Sequence, residues 1–184
     1  MNWNLSCRFV KKNRMGKPVF IIGYMGSGKT TTGRKLARSI GYFHFDLDEE
    51  IEKLLGKSIS AVFAEDGEDA FRKFEHSALV SLTHRKNVVI STGGGTPCFF
   101  DNMKLMKDSG VTVYLKMSPE SLSKRLLSAR VKRPLIENIT PEDLPGFIRA
   151  HLMRREDFYN QALITFKGEN LDFEKLLAAV REAL

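Results

Sequence analysis

The sequence predicts a single α/β domain in which helices cover both faces of a five-stranded parallel sheet. Short runs of β-branched and aromatic residues alternate with longer amphipathic segments, as expected for repeated β-α-β units. The first run, Val19 to Ile22, leads into a glycine-rich turn and then into a helical pattern. This order of strand, turn and helix fits an open parallel sheet rather than an antiparallel one.

Each predicted strand is a short apolar run rich in Val, Ile, Phe or Tyr. Runs of this kind, without strict alternation, are typical of strands that are buried on both faces of a parallel sheet. The predicted strands are Val19 to Ile22, Tyr42 to Phe45, Val88 to Ser91, Val111 to Leu115 and Leu163 to Phe166.

The segments between these strands contain helical periodicity or signals for helix ends. The helix from Lys29 to Ile40 is stopped by Gly41, which favours a helix end. Pro145 is expected to kink or delay the helix that spans Pro141 to Asn160. The other predicted helices are Asp48 to Leu55, Ser58 to Asp66, Glu68 to His84, Asp101 to Ser109, Ser118 to Leu127 and Asp172 to Leu184.

The composition limits the class of protein and its partners. A hydrophobic fraction of 42% is ordinary for one globular domain, and no apolar run approaches the roughly 18 residues of a membrane span, so no membrane partner is expected. The net charge of +7 leaves nucleic acid open, but no basic stripe interleaved with aromatic residues supports it. Cys7 and Cys98 form no CxxC pair, which favours reduced thiols in a cytoplasmic protein.

The N-terminal residues differ in composition from the rest of the chain. Met1 to Arg14 contains four basic residues and no acidic one, and it has no long apolar region typical of a secretory signal. We expect residues 1–14 to be a disordered or loosely packed extension and residues 15–184 to form the domain. Met15 is a candidate native start, and a remnant of a targeting segment is the alternative.

Gly23 to Thr30 fits the phosphate-binding pattern G-x-x-x-x-G-K-[ST] in the expected place between a strand and a helix. Its glycines let several backbone N–H groups face one point, where the helix N-terminus adds positive potential. Lys29 is expected to reach the β- and γ-phosphates of a nucleotide, and the Thr30 hydroxyl to bind Mg²⁺. The residues predicted to contact the nucleotide here are Gly26, Ser27, Gly28, Lys29, Thr30 and Thr31.

Two acidic residues, Asp46 and Asp48, follow the second predicted strand. At strand spacing their side chains would point the same way, at the carboxyl edge of the sheet where ligands bind. One carboxylate could serve Mg²⁺ through water, and the other could orient an attacking hydroxyl or accept its proton. The alternative is that Asp48 merely caps the following helix.

A triple glycine and three arginines are further candidates. Gly93-Gly94-Gly95 suits either a close approach of backbone N–H groups to a ligand or a tight strand–helix turn. Arg72 lies at the margin of a predicted apolar stripe, Arg133 lies in a polar segment and Arg155 lies late in a helix, so each alone is a weak signal. The stripe consists of Phe71, Phe74, Ala78 and Leu82.

Together these motifs resemble the shikimate kinase family of P-loop small-metabolite kinases. The resemblance covers about residues 15–184 and depends on the order and spacing of all the motifs. It implies a sheet in the order 2-3-1-4-5, a mobile lid at about 130–140, and ATP-dependent phosphorylation of the shikimate 3-hydroxyl. The matching segments are Gly23 to Thr30, Asp46 to Asp48, Gly67-Glu68, Phe71 to Glu75, Gly93 to Gly95, Arg133 to Leu135 and Arg155 to Tyr159.

The resemblance also implies roles on the nucleotide side. Lys29 would bind phosphate, Thr30 would hold Mg²⁺ and Asp46 would reach Mg²⁺ through water. Arg133 would come from the lid to the phosphates when the lid closes. Arg125 falls near the family's nucleotide-side arginine only if a one-residue gap is allowed.

On the substrate side, the resemblance implies a set of contacts with shikimate. Asp48 would bind the hydroxyl that is phosphorylated and act as the base. Arg72 and Arg155 would hold the carboxylate, and Gly94 and Gly95 would donate backbone N–H groups. The implied partners are therefore ATP, Mg²⁺ and shikimate, in a cytoplasmic monomer of chorismate and aromatic amino-acid biosynthesis.

Two alternatives stay open from the sequence. A kinase for another small polyol acid, such as gluconate, would share the P-loop but would not require Arg72 and Arg155 around a triple glycine. A nucleotide-binding regulatory or nucleic-acid-binding protein without kinase activity would not require an intact Lys29 or the acidic pair.

Overall fold

The computed structural model describes residues 16–128, 136 and 139–184. Five parallel strands in these residues form one sheet. The strands are β1 (Val19–Ile22), β2 (Phe43–Asp46), β3 (Val88–Ser91), β4 (Val111–Lys116) and β5 (Ile164–Lys167). Their order is β2-β3-β1-β4-β5, which confirms the predicted fold class and strand order.

Eight α-helices connect or follow these strands within the described ranges. Seven of them, and the strands, lie within one or two residues of the predicted bounds; the exception is the helix after the polar segment, which begins at Leu144 rather than Pro141. Pro145 is one of its first two residues, where proline needs no backbone partner. The helices are α1 (Lys29–Ile40), α2 (Leu47–Leu55), α3 (Ile59–Glu65), α4 (Gly67–Thr83), α5 (Asn102–Ser109), α6 (Pro119–Ser128), α7 (Leu144–Tyr159) and α8 (Phe173–Ala183).

The central strand β1 is buried on both faces, which explains its unbroken apolar sequence. Phe20 and Ile22 pack into one core, together with residues of α2 and α4. Val19 and Ile21 point to the opposite face and pack into a second core, together with residues of α1 and α8. The alternation of side chains along the strand therefore makes β1 part of two cores, one on each side of the sheet.

The buried face of α4 differs from the predicted stripe. Phe71, Ala78 and Leu82 are buried as expected, but Phe74 is 39% exposed. Glu75 is fully buried instead, and its side chain lies on the same helical face as Phe71, one turn further along. The assignment of Phe74 to the stripe was wrong because an acidic residue with internal partners occupies the core-facing position.

Several predictions fall outside the described residues. Met1 to Arg14, Met15 and Arg133 belong to this group, so what was expected of them stays a prediction. Within the ranges that the structure describes, no helix is both long enough and apolar enough to cross a membrane.

Candidate active site

The loop between β1 and α1 has the backbone shape that its glycines predict. Gly26 and Gly28 have φ angles of 80° and 92°, in the left-handed region that favours glycine. Gly28 caps α1 without a side chain, so no capping oxygen occupies the N-terminal end of the helix. The N–H groups of the first turn and the positive end of the helix dipole thus suit an anionic ligand.

Two side chains of this loop support phosphate binding. The Lys29 ammonium donates a hydrogen bond to the Tyr24 carbonyl oxygen at 3.0 Å, which holds it over the loop. The Ser27 hydroxyl is buried, and it is the one buried side-chain polar atom in the described residues that has no hydrogen-bond partner. Since a buried hydroxyl without a partner is costly, a phosphate oxygen would satisfy it.

The acidic pair lies at a strand–helix junction rather than along one strand. Strand β2 ends at Asp46 and helix α2 begins at Leu47, so the predicted strand spacing of the two carboxylates was wrong. Asp46, not Asp48, caps the helix, and its carboxylate accepts a hydrogen bond from the Asp48 N–H at 3.2 Å. Both acidic residues nevertheless line the cavity in front of the P-loop.

The oxygen atoms beside the P-loop fit a Mg²⁺ ion that also binds phosphate. The Thr30 hydroxyl donates to the Asp46 carboxylate at 2.7 Å, so two oxygen ligands of the kind that Mg²⁺ prefers are adjacent. No cluster of three or more His, Cys, Asp or Glu side chains in the described part of the chain could hold a metal. A cation here would therefore depend on nucleotide phosphates and water for its remaining ligands.

Arg72 is held in place by two glutamates of its own helix. Its Nε and Nη2 donate to one oxygen of Glu68 at 3.2 and 2.8 Å, and its Nη1 donates to Glu75 at 2.9 Å. The fully buried Glu75 also accepts a hydrogen bond from the Thr96 hydroxyl. The Arg72 side chain is only 11% exposed, so the prediction of a marginal position on the helix was wrong.

Each residue of the triple glycine gives room to a different neighbour. A Cβ atom on Gly93 would lie 2.7 Å from a Glu75 oxygen, and one on Gly95 would lie 2.8 Å from both terminal nitrogens of Arg72. A Cβ atom on Gly94 would lie 3.1 Å from the backbone nitrogen of Met25 in the P-loop. The turn is thus packed too closely for side chains, while backbone contacts to a ligand stay a prediction.

Arg155 approaches the same region from α7. Its guanidinium carbon lies 5.5 Å from the centre of the Tyr24 ring, and its side chain lines one cavity together with Arg72 and the triple glycine. Tyr24 is buried against α6 and α7, so the P-loop, the turn and α7 meet here. The structure therefore brings together the two arginines that were weak signals individually.

Three adjoining spaces surround the P-loop. A cavity of about 240 Å³ contains Lys29, Thr30, Asp46 and Asp48, and an acceptor cavity of about 150 Å³ contains Arg72 and Arg155. These two cavities share Met25, Asp48 and Gly94. On the other side, a groove of about 390 Å³ shares Gly28 and Thr31 with the first cavity and is also lined by Thr32, Arg125, Gly168, Asn170 and Leu171.

Some residues of this site were not singled out from the sequence. Glu75 could have been noticed as an acidic residue on an apolar helix face, three positions after Arg72. Arg125 was only a loose candidate, yet its guanidinium donates to the Gly168 carbonyl oxygen at 3.3 Å beside the P-loop. Tyr159 belongs to a segment that carries the family resemblance but was given no role, and its hydroxyl contacts the triple glycine.

A phosphate-binding loop after the central strand, with acidic residues where the next strand along the chain ends and a second polar cavity beside it, defines a P-loop protein of the small-molecule kinase class. A family model described as Shikimate kinase matches residues 25–184. The shikimate kinase of Parabacteroides distasonis is 46% identical over 168 residues, which cover 91% of this chain and 97% of that protein. The chain therefore belongs to the shikimate kinase family.

Solved structures agree with this assignment. The crystal structure of shikimate kinase from Bacteroides thetaiotaomicron superposes with a TM-score of 0.84 at 39% identity, covering 90% of this chain and 97% of that one. Shikimate kinase from Acinetobacter baumannii in complex with shikimate gives a TM-score of 0.81 at 32% identity, covering 91% and 92%. The similarity thus extends over the whole domain and not only over the P-loop.

Proposed function

We propose that this protein transfers the γ-phosphoryl group of ATP to the 3-hydroxyl group of shikimate, giving shikimate 3-phosphate and ADP. The observation that carries the proposal is the junction of two cavities at Asp48 and Gly94. One cavity suits phosphates and the other contains two arginines. A substrate with a hydroxyl at one end and a carboxylate at the other would span the acceptor cavity up to the phosphates.

The nucleotide occupies the P-loop side in this proposal. Lys29 and the loop N–H groups bind the phosphates, and the unpaired Ser27 hydroxyl donates to a phosphate oxygen. Thr30 and Asp46 hold Mg²⁺, which when bound neutralises charge on the phosphates. The groove that contains Arg125 adjoins the loop through Gly28 and Thr31 and suits the nucleoside part.

Shikimate occupies the acceptor cavity. An arginine has five N–H groups, and three of those of Arg72 donate to Glu68 and Glu75. Two N–H groups remain, one on each terminal nitrogen, enough for the paired contact that a carboxylate prefers. Arg155 supplies the second positive charge, and Gly94 and Gly95 supply backbone N–H groups to the ring substituents.

The chemistry needs positioning and a proton acceptor. Asp48 orients the 3-hydroxyl and takes its proton as the oxygen attacks the γ-phosphorus. The new O–P bond forms while the bond to the β-phosphate oxygen breaks, and the negative charge leaves with ADP. Lys29 stabilises charge on the phosphoryl oxygens, and Arg133 joins it from the segment before α7. Catalysis by these residues therefore depends mainly on aligning the hydroxyl with the γ-phosphorus and on compensating the negative charge of the phosphates.

The proposal extends to the pathway, the location and the oligomeric state of the enzyme. The enzyme acts as a cytoplasmic monomer in the route to chorismate and the aromatic amino acids, without nucleic-acid or membrane partners. Residues 15–184 form the catalytic domain, and residues 1–14 are dispensable.

A coupled ADP-release assay tests the proposal directly. ADP should form from ATP and Mg²⁺ only when shikimate is present, and it should be accompanied by shikimate 3-phosphate. Gluconate serves as the alternative acceptor, and a reaction without any acceptor serves as the blank. The Lys29→Ala variant controls for contaminating kinases. Turnover with gluconate but not shikimate, or ATP hydrolysis that ignores the acceptor, would overturn the assignment.

A further inference from the structure

One tyrosine hydroxyl connects the two halves of the acceptor cavity. Tyr159 closes α7 one turn after Arg155 and is fully buried. Its hydroxyl donates to the Gly94 carbonyl oxygen at 2.5 Å, and the Arg155 guanidinium lies near the same hydroxyl, where its positive charge partly offsets the effect of burial on the pKa. Burial raises the pKa of Tyr159 well above its ordinary value, so the group stays a protonated donor.

The bond to Gly94 fixes the direction of a neighbouring N–H group. The Gly94 carbonyl and the Gly95 N–H belong to one planar trans peptide, so they point in opposite directions. Because Tyr159 holds the oxygen, the Gly95 N–H is turned away from α7. Gly94 also packs against the P-loop, since a Cβ atom there would lie 3.1 Å from the Met25 nitrogen. The peptide therefore has little freedom to rotate while the hydroxyl is present.

We propose that Tyr159 is a positioning residue for acceptor binding, whose single hydroxyl aligns the Arg155 guanidinium and the Gly94–Gly95 peptide with each other. This inference rests on the proposed function, in which both groups contact shikimate. Arg155 would otherwise be a long, partly exposed side chain with many rotamers, and ordering it would weaken binding. The hydroxyl removes that freedom before the substrate arrives.

A second tyrosine provides a matched control. Tyr114 on β4 is also buried, and its ring stacks on that of Tyr159 with centroids 5.0 Å apart and planes at 34°. Tyr114 lines a groove on the other side of α7, away from the acceptor cavity. Tyr159→Phe and Tyr114→Phe thus remove the same atom from the same ring stack, but only the first removes a hydrogen bond to Gly94, which lines the acceptor cavity.

The experiment measures steady-state constants of both Phe variants. Tyr159→Phe should raise KM for shikimate by roughly 10-fold, the scale of a hydrogen bond to a charged group, with kcat and KM for ATP within about 3-fold of wild type. Tyr114→Phe should change none of the three by more than about 3-fold. A purely structural role would lower the unfolding midpoint without this selective rise in KM, and that result would overturn the proposal.

Coupling to Arg155 provides the second readout. If the hydroxyl acts partly through Arg155, the Arg155→Ala, Tyr159→Phe double variant should lose less than the product of the two single losses in kcat/KM. Independent, multiplicative losses would refute the positioning role, as would a Tyr159→Phe variant that does not fold by circular dichroism. If Arg155→Ala alone leaves KM for shikimate unchanged, the proposed carboxylate site itself is wrong. If Arg155→Ala raises KM for shikimate but Tyr159→Phe leaves it unchanged, this inference fails and the proposed function stands.

Discussion

Substituting Arg72 tests whether the acceptor cavity reads a carboxylate. Arg72 uses three N–H groups on Glu68 and Glu75, which leaves two for the substrate. Lysine keeps the positive charge but has a single nitrogen, which cannot bond two glutamates and both oxygens of a substrate carboxylate. Arg72→Lys is therefore expected to weaken shikimate binding, although the charge is conserved.

The magnitude follows from burial. The Arg72 side chain is 11% exposed and Glu75 is fully buried, so the site is largely desolvated. Removing one partner of such a pair costs about 2–5 kcal/mol, or roughly 30-fold to 5,000-fold in kcat/KM. Arg72→Ala would also leave the Glu75 carboxylate buried without its cation, which costs about 3–5 kcal/mol of folding stability. Pairing it with Glu75→Gln removes that stranded charge.

The assay compares shikimate with its uncharged methyl ester. Wild type should prefer the acid by at least roughly 30-fold in kcat/KM, and Arg72→Ala with Glu75→Gln should prefer it much less, because only Arg155 then contacts the carboxylate. Arg72→Lys should fall between them. The exposed neighbour Lys73 provides the control, because Lys73→Gln changes the helix charge without touching the cavity. If the double variant keeps the wild-type ratio of acid to ester, Arg72 does not read the carboxylate.

Lys29→Ala should abolish turnover without lowering the unfolding midpoint, and activity within a few-fold of wild type would contradict its role. Asp48→Asn should lower kcat on the order of 100-fold or more. Asp46→Asn should instead raise the Mg²⁺ concentration needed for activity. Steady-state rates measured at several Mg²⁺ concentrations test both expectations. Burial lowers the pKa of the His44 imidazole below its ordinary 6.5, so the folded protein favours the neutral ring. The stability that the neutral ring contributes is present above pH 6.5 and is lost as the pH falls below that value. The unfolding midpoint of His44→Asn should therefore drop less than that of wild type between about pH 7.5 and 5.5, and equal drops would contradict this.

Local sequence patterns predicted most of the fold. The strands β1 and β3 match their predicted ranges because both are buried on two faces and read as unbroken apolar runs. The edge strands β2 and β5 are half exposed, and each lies one residue further along than predicted. The P-loop was also predictable, since its glycines and Lys29 are contiguous and their geometry is set by the backbone.

Contacts between distant residues could not be predicted in this way. Tyr159 and Gly94 are 65 positions apart, and nothing near either residue indicates the partner. Arg72 was predicted at a helix margin because Phe71 and Phe74 were expected to define the buried side. Glu75 is buried instead of Phe74, and it compensates the charge of Arg72. The acidic pair was given the spacing of a strand because the boundary between β2 and α2 has no proline or glycine to mark it.

The triple glycine sets the size of the acceptor cavity. It packs against Glu75 and Arg72 of α4, against Asp48 of α2 and against Met25 of the P-loop. The Gly94 carbonyl oxygen also accepts a hydrogen bond from the hydroxyl of Tyr159 on α7. A side chain at any of these three positions would push one of those elements away. The span between the two arginines and Asp48 therefore depends on the turn that packs between them. In the proposed site this span corresponds to the distance from the carboxylate to the reacting hydroxyl of the acceptor, so we expect the turn to limit which small acids can be phosphorylated.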